Sequence, residues 1–210
     1  MRLDVLLVKR GFFSSRQRAK EYIKRGLVVV NGKKITKPST DVDYDVQIEI
    51  LEEPEKPKGY WKLKEIDEKL KIFKGDEIVL DLGSSAGGFL LYASERAKFV
   101  YGIEYSKEFE EDLRRIERLR SNVKVFIEDA FKFDISKLPE LDLILNDLTL
   151  PFSSSIKALE RFIPKLKKNG KILFVHKTGD MEIPNFEGFK VLSFLDSKDK
   201  KERYYLLSLP

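Results

Sequence analysis

The stretch EIVLDLGSSAGGF, residues 77–89, decides the fold. An aliphatic run, Ile78–Leu82, is followed by a Gly/Ser segment, Gly83–Gly88, and then by an apolar helix start at Phe89. A strand, a tight turn and a helix in this order form a small-molecule site at the carboxyl end of a buried parallel strand. We therefore expect an α/β domain organised around this turn.

The composition of the 210-residue chain limits the classes of protein to consider. With 42% hydrophobic residues, the chain can form one full α/β domain and a smaller unit. It has no cysteine and one histidine, so we expect no disulfide framework and no metal. It has neither a secretory signal pattern nor an apolar run of about 20 residues, so we expect a cytoplasmic protein without a membrane partner.

Positive charge is concentrated at the N-terminus. Residues 1–37 hold eleven Lys and Arg against two acidic residues, a net charge of +9, whereas the whole chain carries +5. This asymmetry predicts a polyanionic partner for the first segment. On charge alone, a solvated helix face is an equally good interpretation.

The first fifty residues show the pattern of a small α+β unit. Leucines at helical spacing predict a first helix, and RQRAKEYIKR, residues 16–25, predicts a second, which Ser14 or Ser15 can cap. The second helix carries a basic residue at every fourth position, which gives a basic stripe. Asn31-Gly32 then predicts a two-residue hairpin.

Residues 2–40, RLDVLLVKRGFFSSRQRAKEYIKRGLVVVNGKKITKPST, resemble the αL RNA-binding module of small-subunit ribosomal protein four. The resemblance implies a second helix and hairpin that hold structured RNA through its backbone, which agrees with phosphate contacts from basic side chains on rigid elements. The residues it marks for RNA binding are Arg2, Ser15, Arg16, Arg18, Lys20, Lys24, Arg25 and Lys33.

We predict three segments in the chain. The RNA-binding module occupies residues 1–50, and residues 51–59, LEEPEKPKG, form a polar, proline-containing linker. A second domain covers residues 60–210, where strand and helix patterns alternate and a hairpin ends the chain. This alternation predicts a Rossmann-like, doubly wound sheet of seven strands whose last strand is antiparallel. The predicted strands are 78–82, 99–103, 123–127, 141–145, 171–175, 189–195 and 203–209.

The residues at the predicted strand ends indicate the cofactor. GSSAGG lacks the middle glycine of the dinucleotide fingerprint, and no Gly-Lys-Ser/Thr follows it as in a phosphate-binding loop. Carboxylates at Asp81, Glu104 and Asp129 would repel phosphates but suit a ligand with a cation, ribose hydroxyls and an adenine. S-adenosylmethionine has all three groups.

DLGSSAGGF is also similar to the first motif of FtsJ-type RNA 2′-O-methyltransferases. The resemblance implies that the glycine turn accommodates the methionine end, that Glu104 takes the ribose hydroxyls and that Asp129 meets the adenine amino group. The residues it marks for cofactor binding are Asp81, Gly83, Ser84, Ser85, Gly87, Gly88, Phe89, Glu104, Asp129 and Asp147.

The FtsJ resemblance extends to a catalytic Lys-Asp-Lys-Glu tetrad. Its members here are Lys62 in WKLKEI, Asp147 after the fourth strand, Lys177 after the fifth and Glu202 at the start of the last. We predict that Lys177 accepts the proton of a ribose hydroxyl, with its pKa lowered by burial and by the second lysine. Asp147 would orient Lys177, while the other two residues position the hydroxyl and balance charge.

Sequence neighbours of Lys177 and Asp147 bear on the predicted catalytic role and acceptor. His176 should point away from Lys177, because side chains alternate along a strand, so we expect a structural role for it. The sequence Asn146-Asp147-Leu148-Thr149 lacks the prolines of the motif used by base amino methyltransferases, which favours ribose as the acceptor.

The αL module followed by an FtsJ-like domain resembles the TlyA family, whose members methylate ribosomal RNA ribose and are sometimes labelled haemolysins. The expected partner is structured RNA, in ribosomal RNA or ribosomal subunits. The alternative is a non-catalytic RNA-binding or ribosome-assembly factor that retains a methyltransferase fold.

Overall fold

The structure is a computed structural model that describes residues 1–51, 56–179, 183–199 and 201–210. Within these residues the strands form two sheets, one of three strands and one of seven. Four residues of the predicted linker and Lys200, in the turn of the last predicted hairpin, lie outside the described ranges.

The N-terminal unit packs two helices on a small antiparallel sheet. Its elements are α1 (Leu3–Lys9), α2 (Arg16–Lys24), β1 (Val28–Val30), β2 (Lys33–Ile35) and β3 (Ile48–Ile50), with β1 central. Asn31 and Gly32 both have positive φ angles, 48° and 76°, as a tight two-residue hairpin turn requires. The helices bury a leucine-rich face against β1.

The larger unit is a twisted sheet covered by helices. Its elements are α3 (Lys58–Leu70), β4 (Ile78–Leu82), α4 (Gly88–Ser94), β5 (Phe99–Glu104), α5 (Glu110–Leu119), β6 (Val123–Ile127), β7 (Leu141–Asn146), α6 (Phe152–Glu160), β8 (Leu166–Lys177), β9 (Lys190–Asp196) and β10 (Glu202–Ser208). The strand order is β6-β5-β4-β7-β8-β10-β9. In this sheet β10 runs antiparallel to both β8 and β9, whereas the pairings among β4, β5, β6, β7 and β8 are parallel, so the predicted fold class is confirmed.

Two apolar clusters cover the two faces of this sheet. Side chains of α3, α4 and α5 join one cluster with β4 and β5, and α6 joins the other. The carboxyl ends of β4, β5, β6 and β7 therefore meet at one edge, where α4 and its preceding turn begin.

Three element boundaries differ from the sequence prediction. Helix α3 begins at Lys58, inside the predicted linker. Helix α6 ends at Glu160 rather than near Leu166, and Gly170, predicted to follow that helix, lies within β8. The start of β8 is hard to recognise in the sequence, because the side chains of its KKNGK stretch are polar on both faces of the strand and the usual alternation of apolar and polar residues is missing.

Two glycines let α3 and α4 approach closely. A Cβ placed on Gly88 would lie 2.5 Å from the backbone nitrogen of Tyr60 and 2.7 Å from Cα of Gly59. Both neighbours are backbone atoms, so a rotamer change cannot relieve the overlap. This backbone contact fixes the first turn of α3 over the start of α4, and it places Lys62 one turn further along.

We expect Gly88→Ala to destabilise the protein by about 3 kcal/mol, because the added methyl group forces the two helices apart. The midpoint of thermal unfolding should then fall by roughly 6–12 °C. Gly179→Ala is the matched control, since no atom lies within 4 Å of its Cβ position. Equal midpoints for the two variants in thermal unfolding followed by circular dichroism would contradict this role for the helix contact.

No helix in the described part of the chain is long and apolar enough to cross a membrane.

Candidate active site

The glycine turn after β4 is held in a conformation that few residues adopt. Gly83 and Gly87 have φ angles of 81° and 83°, and Ser85 between them has 48°. The amide of Gly83 donates a 3.0 Å hydrogen bond to the carbonyl of Ile103 on β5. A Cβ on Gly83 would lie 3.1 Å from the backbone oxygen of Asp147, and one on Gly87 would lie 2.2 Å from Cδ1 of Ile116. The two glycines are therefore required by close packing as well as by backbone conformation.

A cavity of about 440 Å³ lies beside this turn, at the carboxyl ends of the strands. Its size is typical of a site for a drug-sized molecule. Five of the predicted cofactor-binding residues line it: Gly83, Ser85, Glu104, Asp129 and Asp147. The other lining residues are Ile103, Tyr105, Phe109, Glu128, Ala130, Phe131, Leu148, Thr149 and Leu150.

The carboxylates of Glu104 and Asp129 are oriented by backbone amides. Glu104 is buried and accepts hydrogen bonds from the amides of Ser85, at 2.8 Å, and Ser106, at 2.7 Å. Asp129 accepts one from the amide of Phe131, at 2.9 Å. Each carboxylate oxygen has a second lone pair, so both groups can still accept hydrogen bonds from a ligand.

Asp81 is a fully buried carboxylate at the end of β4. Neither of its oxygens has a hydrogen-bond partner among the described residues. Its pKa is raised to about 7, chiefly by burial and also by the charges of Asp147 and Glu104, while the neighbouring Ser84 hydroxyl and Lys62 act in the opposite direction. A buried carboxylate that accepts no hydrogen bond needs a donor or a cation. This site therefore fits a ligand with hydrogen-bond donors and positive charge better than one with phosphates.

The other predicted cofactor-binding residues do not line the cavity. Ser84 is buried and donates a 3.3 Å hydrogen bond to the backbone oxygen of Asp81. Gly87 and Gly88 serve the helix contacts described above, and Phe89 lies in the core beneath Lys62. Their contact with a cofactor remains a prediction from the sequence.

The four predicted tetrad residues meet in a closed ring of alternating charge. Lys62 Nζ lies 2.7 Å from Asp147 Oδ2 and 3.0 Å from Glu202 Oε2. Lys177 Nζ lies 2.9 Å from Asp147 Oδ1 and also contacts Glu202 Oε1. Strand register explains the second contact, because Glu202 and Lys177 are paired across β10 and β8.

The charge state of this ring corrects the predicted pKa of Lys177. Burial alone would lower its pKa, but the Asp147 and Glu202 carboxylates raise it above the ordinary value of a lysine. The pKa of Glu202 is held low by the two lysines, although its own burial opposes this. The predicted lowering is therefore wrong for the ring without ligands, in which Lys177 is protonated at neutral pH.

The neighbours of the ring are structural. His176 is buried and packs edge-to-face on Phe152, with 5.6 Å between ring centroids. Asn146 is fully buried, and its side-chain amide donates a 3.1 Å hydrogen bond to the Ser155 hydroxyl. The hydrogen bond between Asn146 and Ser155 joins the end of β7 to α6 and so fixes the backbone position of Asp147, the next residue.

The ring separates two cavities. Asp147 lines the cavity beside the glycine turn, whereas Lys62 and Glu202 line a second cavity of about 360 Å³. Tyr204 and Leu195 contribute an apolar wall to the second cavity. The ring therefore contributes residues to the walls of both cavities.

The predicted RNA-binding residues divide into two sets. Arg2, Arg16 and Lys20 surround the buried carboxylate of Asp4, at 3.0, 2.9 and 4.0 Å. The hydroxyl of Ser15 caps α2 by accepting from the amide of Arg18, at 3.3 Å. Three further predicted residues, Lys24 and Arg25 at the end of α2 and Lys33 on β2, are exposed.

Sequence reasoning missed two aromatic residues of the first cavity. Tyr105 is 77% exposed and Phe131 is 41% exposed, although both are large and partly apolar. They directly follow the predicted ligand acids, Tyr105 by one position from Glu104 and Phe131 by two from Asp129. Flat side chains at these positions can stack on an adenine ring. The sequence feature that could have identified them is an aromatic residue one or two positions after each strand-end acid.

No group of three or more His, Asp or Glu side chains within the described ranges is arranged to hold a metal ion.

Comparison with known families separates the same two units. The model of the S4 domain matches residues 1–48, and the model of the FtsJ-like methyltransferases matches residues 56–203. The second match covers more than half of the chain. The chain therefore belongs to the FtsJ-like methyltransferase family, with an S4 domain in front, and both predicted resemblances are confirmed.

Two curated relatives and one solved structure show the range of similar proteins. Ribosomal RNA large subunit methyltransferase E of Bdellovibrio bacteriovorus is 31% identical over 50% of this chain and 54% of its own. The 16S/23S rRNA (cytidine-2′-O)-methyltransferase TlyA of Mycobacterium tuberculosis is 35% identical over 42% of this chain and 34% of its own. Fibrillarin of Aeropyrum pernix, solved with natively bound S-adenosyl-L-methionine, superposes with a TM-score of 0.59 at 19% identity, over 71% of this chain and 75% of its own. The matches thus span about a third to a half of the curated relatives.

Proposed function

We propose that this protein transfers a methyl group from S-adenosylmethionine to a ribose 2′-hydroxyl of ribosomal RNA. The observation that carries the proposal is the closed ring of Lys62, Asp147, Lys177 and Glu202 between two cavities. The two curated relatives are both named as ribosomal RNA methyltransferases, and one name specifies the 2′-oxygen of cytidine. The proposed location is the cytoplasm, where ribosomal RNA and the cofactor meet.

The first cavity has the chemistry to hold the cofactor. Asp81, buried at the end of β4 behind the residues that line this cavity, is the proposed acceptor for donors on the methionine end, and Gly83 and Ser85 of the glycine turn form part of the lining. Glu104 can accept from the ribose hydroxyls and Asp129 from the adenine amino group. Bound S-adenosylmethionine would supply an electrophilic methyl carbon on a positively charged sulfur.

The second cavity is the proposed entry for the acceptor ribose. A hydroxyl placed there would meet Lys62 and Glu202 first and then Lys177. Methyl transfer would join the 2′-oxygen to the methyl carbon as the carbon–sulfur bond of the cofactor breaks, and the proposed role of the ring is to hold the hydroxyl and take up its proton at Lys177. Fixing the hydroxyl in line with the methyl carbon is a large part of the expected acceleration.

Lys177 must lose its own proton before it can accept another. A cation bound in the adjacent cavity would lower the pKa of Lys177 by charge repulsion. Lys62 would then remain as the charge that balances both carboxylates. We infer that the ring holds Lys177 in its protonated form and that Lys177, 30% exposed, gives this proton to solvent when the cofactor and the acceptor ribose bind.

The N-terminal unit is proposed to hold the structured RNA. We propose functional boundaries of 1–50 for this domain, 51–59 for the linker and 60–210 for the catalytic domain. The exposed basic side chains of α2 and β2 suit phosphate contacts, which position an RNA without reading its sequence. A non-catalytic assembly factor would have no need of four ionised residues in a ring, so we do not favour that alternative.

The experiment that tests the function uses radiolabelled S-adenosylmethionine with separated ribosomal subunits and with their purified RNA. We expect label in RNA, at a position resistant to alkaline cleavage, because a methylated 2′-oxygen cannot attack the neighbouring phosphate. Unlabelled RNA after incubation with a protein that binds the cofactor would favour the non-catalytic alternative. Label in an alkali-sensitive position would assign the methyl group to a base instead.

A further inference from the structure

The two units of the chain meet at a row of arginine side chains. Gly11, just after α1 in the N-terminal unit, faces α5 of the catalytic unit. A Cβ at Gly11 would lie 3.4 Å from Nε of Arg118 and 3.7 Å from Cγ of Arg115. Both arginines therefore lie at the seam between the units, on the same side of α5.

Arg115 is held in this seam without a full set of partners. Its side chain is only 17% exposed, and its buried Nε donates no hydrogen bond to any described residue. Asp112 lies 3.6 Å from its Nη2, longer than the 2.7–2.9 Å that is usual for charge-assisted hydrogen bonds. The positive charge of this mostly buried guanidinium is therefore only partly compensated, and an anion at the accessible part of the group would stabilise it.

Further positive charge surrounds Arg115. Burial lowers the pKa of Arg115, Asp112 opposes this, and the charges of Arg18 and Arg118 lower it again, while Glu111 raises it. Arg18 comes from α2 of the N-terminal unit, whereas Arg118 comes from α5 of the catalytic unit. Cations from both units thus act on one largely buried guanidinium group, opposed by the carboxylates of Asp112 and Glu111.

We propose that Arg18, Arg115 and Arg118 form a composite site for a backbone phosphate of the RNA substrate. The planar guanidinium group is suited to phosphate oxygens, and three of them can satisfy one phosphodiester from two sides. The proposal rests on the proposed function, since it extends the RNA contact surface from the N-terminal unit onto the catalytic unit.

An RNA strand suits this site better than a free anion. Arg18 lies seven positions, or two helical turns, before the exposed Arg25, so both are on the same side of α2 and a strand that follows this side reaches the seam along a basic surface. The nearby carboxylates of Glu111 and Asp112 would weaken the binding of a single small anion. A polyanion gains from several linked contacts at once. One strand held by both units would also fix where the catalytic ring lies relative to the bound RNA.

The test compares RNA binding by the full chain and by Arg118→Gln and Arg115→Gln variants. Arg120→Gln is the matched control, because Arg120 ends the same helix and is paired with Glu95 at 3.2 Å. The probe is a structured ribosomal RNA fragment that the unaltered protein methylates, titrated at several salt concentrations. For Arg118→Gln we expect about tenfold weaker binding and a slope of log K against log salt that is smaller by about one. Affinity for S-adenosylmethionine should stay unchanged.

The possible outcomes separate this proposal from the proposed function. RNA affinity and salt slope that match the control in both variants would overturn the phosphate site and leave the methyltransferase function intact. Stabilisation of the unaltered protein by millimolar inorganic phosphate, lost in Arg118→Gln while RNA binding persists, would assign the site to a free anion and also overturn the proposal. Failure of the unaltered protein to bind any structured RNA would defeat both.

Discussion

Replacing Lys177 with alanine is expected to lower the rate of methyl transfer by about 10³-fold, the usual range for loss of a general base. Cofactor binding should change little, because Lys177 does not line the cavity beside the glycine turn. Lys62 remains within 3.0 Å of both carboxylates, so the ring does not become a pair of unpaired anions. Single-turnover transfer of labelled methyl to RNA measures the rate, and equilibrium dialysis measures cofactor affinity.

A second substitution at the same position separates proton transfer from charge. Lys177→Arg keeps a cation beside Asp147 and Glu202, but a guanidinium cannot give up its proton at neutral pH. We expect this variant to be as inactive as Lys177→Ala. Lys171→Ala, six positions earlier on the same strand and away from the ring, should be fully active. If Lys177→Arg kept more than a tenth of the activity, Lys177 would act through its charge alone and the assignment as base would be wrong.

Replacing Asp81 with asparagine is expected to weaken S-adenosylmethionine binding by about 100-fold, because the buried carboxylate loses its charge. The effect should depend on pH. With a pKa of about 7, Asp81 of the unaltered protein is protonated in mild acid and ionised in mild base. Affinity of the unaltered protein should therefore rise between pH 5.5 and 7.5, whereas affinity of the variant should stay nearly constant. Isothermal titration calorimetry across this range measures both, and parallel pH profiles would rule out Asp81 as the titrating group.

Ionisation of Asp81 should favour cofactor binding but lower the stability of the unliganded protein. Its folded-state pKa is raised above the unfolded value of 3.8, so the folded protein holds this proton more tightly. The stability of the unliganded protein should therefore contain a contribution that is lost as pH rises from about 4 to about 7. Asp81→Asn lacks that contribution, so its unfolding midpoint should improve relative to the unaltered protein over this range. Asp76→Asn, at the opposite edge of the sheet, should show no such trend.

The site could be predicted from the sequence where chain position alone decides the geometry. Parallel strands bring their carboxyl ends to one edge, so Glu104, Asp129 and Asp147 had to approach the glycine turn. Lys177 and Glu202 could be placed together because a final hairpin must pair with the strand before it. The tetrad could therefore be predicted from the sequence, with Asp147, Lys177 and Glu202 at strand ends and Lys62 near the start of α3.

Properties that depend on which atoms touch could not be predicted. Both carboxylates of the ring contact the same ammonium group, and this raises the pKa of Lys177 where neighbouring lysines alone would lower it. The buried Asp4 likewise gathers Arg2 and Arg16, so part of the predicted RNA-binding charge also holds α1 and α2 together. Side-chain exposure at the seam, which leaves Arg115 Nε buried without an acceptor, has no signature in the sequence.

The ring also has a consequence for the order in which the protein matures. Lys62 and Glu202 are 140 positions apart, and they come from the first helix and the last strand of the catalytic unit. The cavity beside the glycine turn needs no residue beyond Leu150. A nascent chain emerging from the ribosome thus contains every lining residue of this cavity before the final hairpin is synthesised, but the ring is complete only after β10 pairs with β8. Contact between the two ends of the unit would therefore restrict the proposed methyl transfer to the fully synthesised unit.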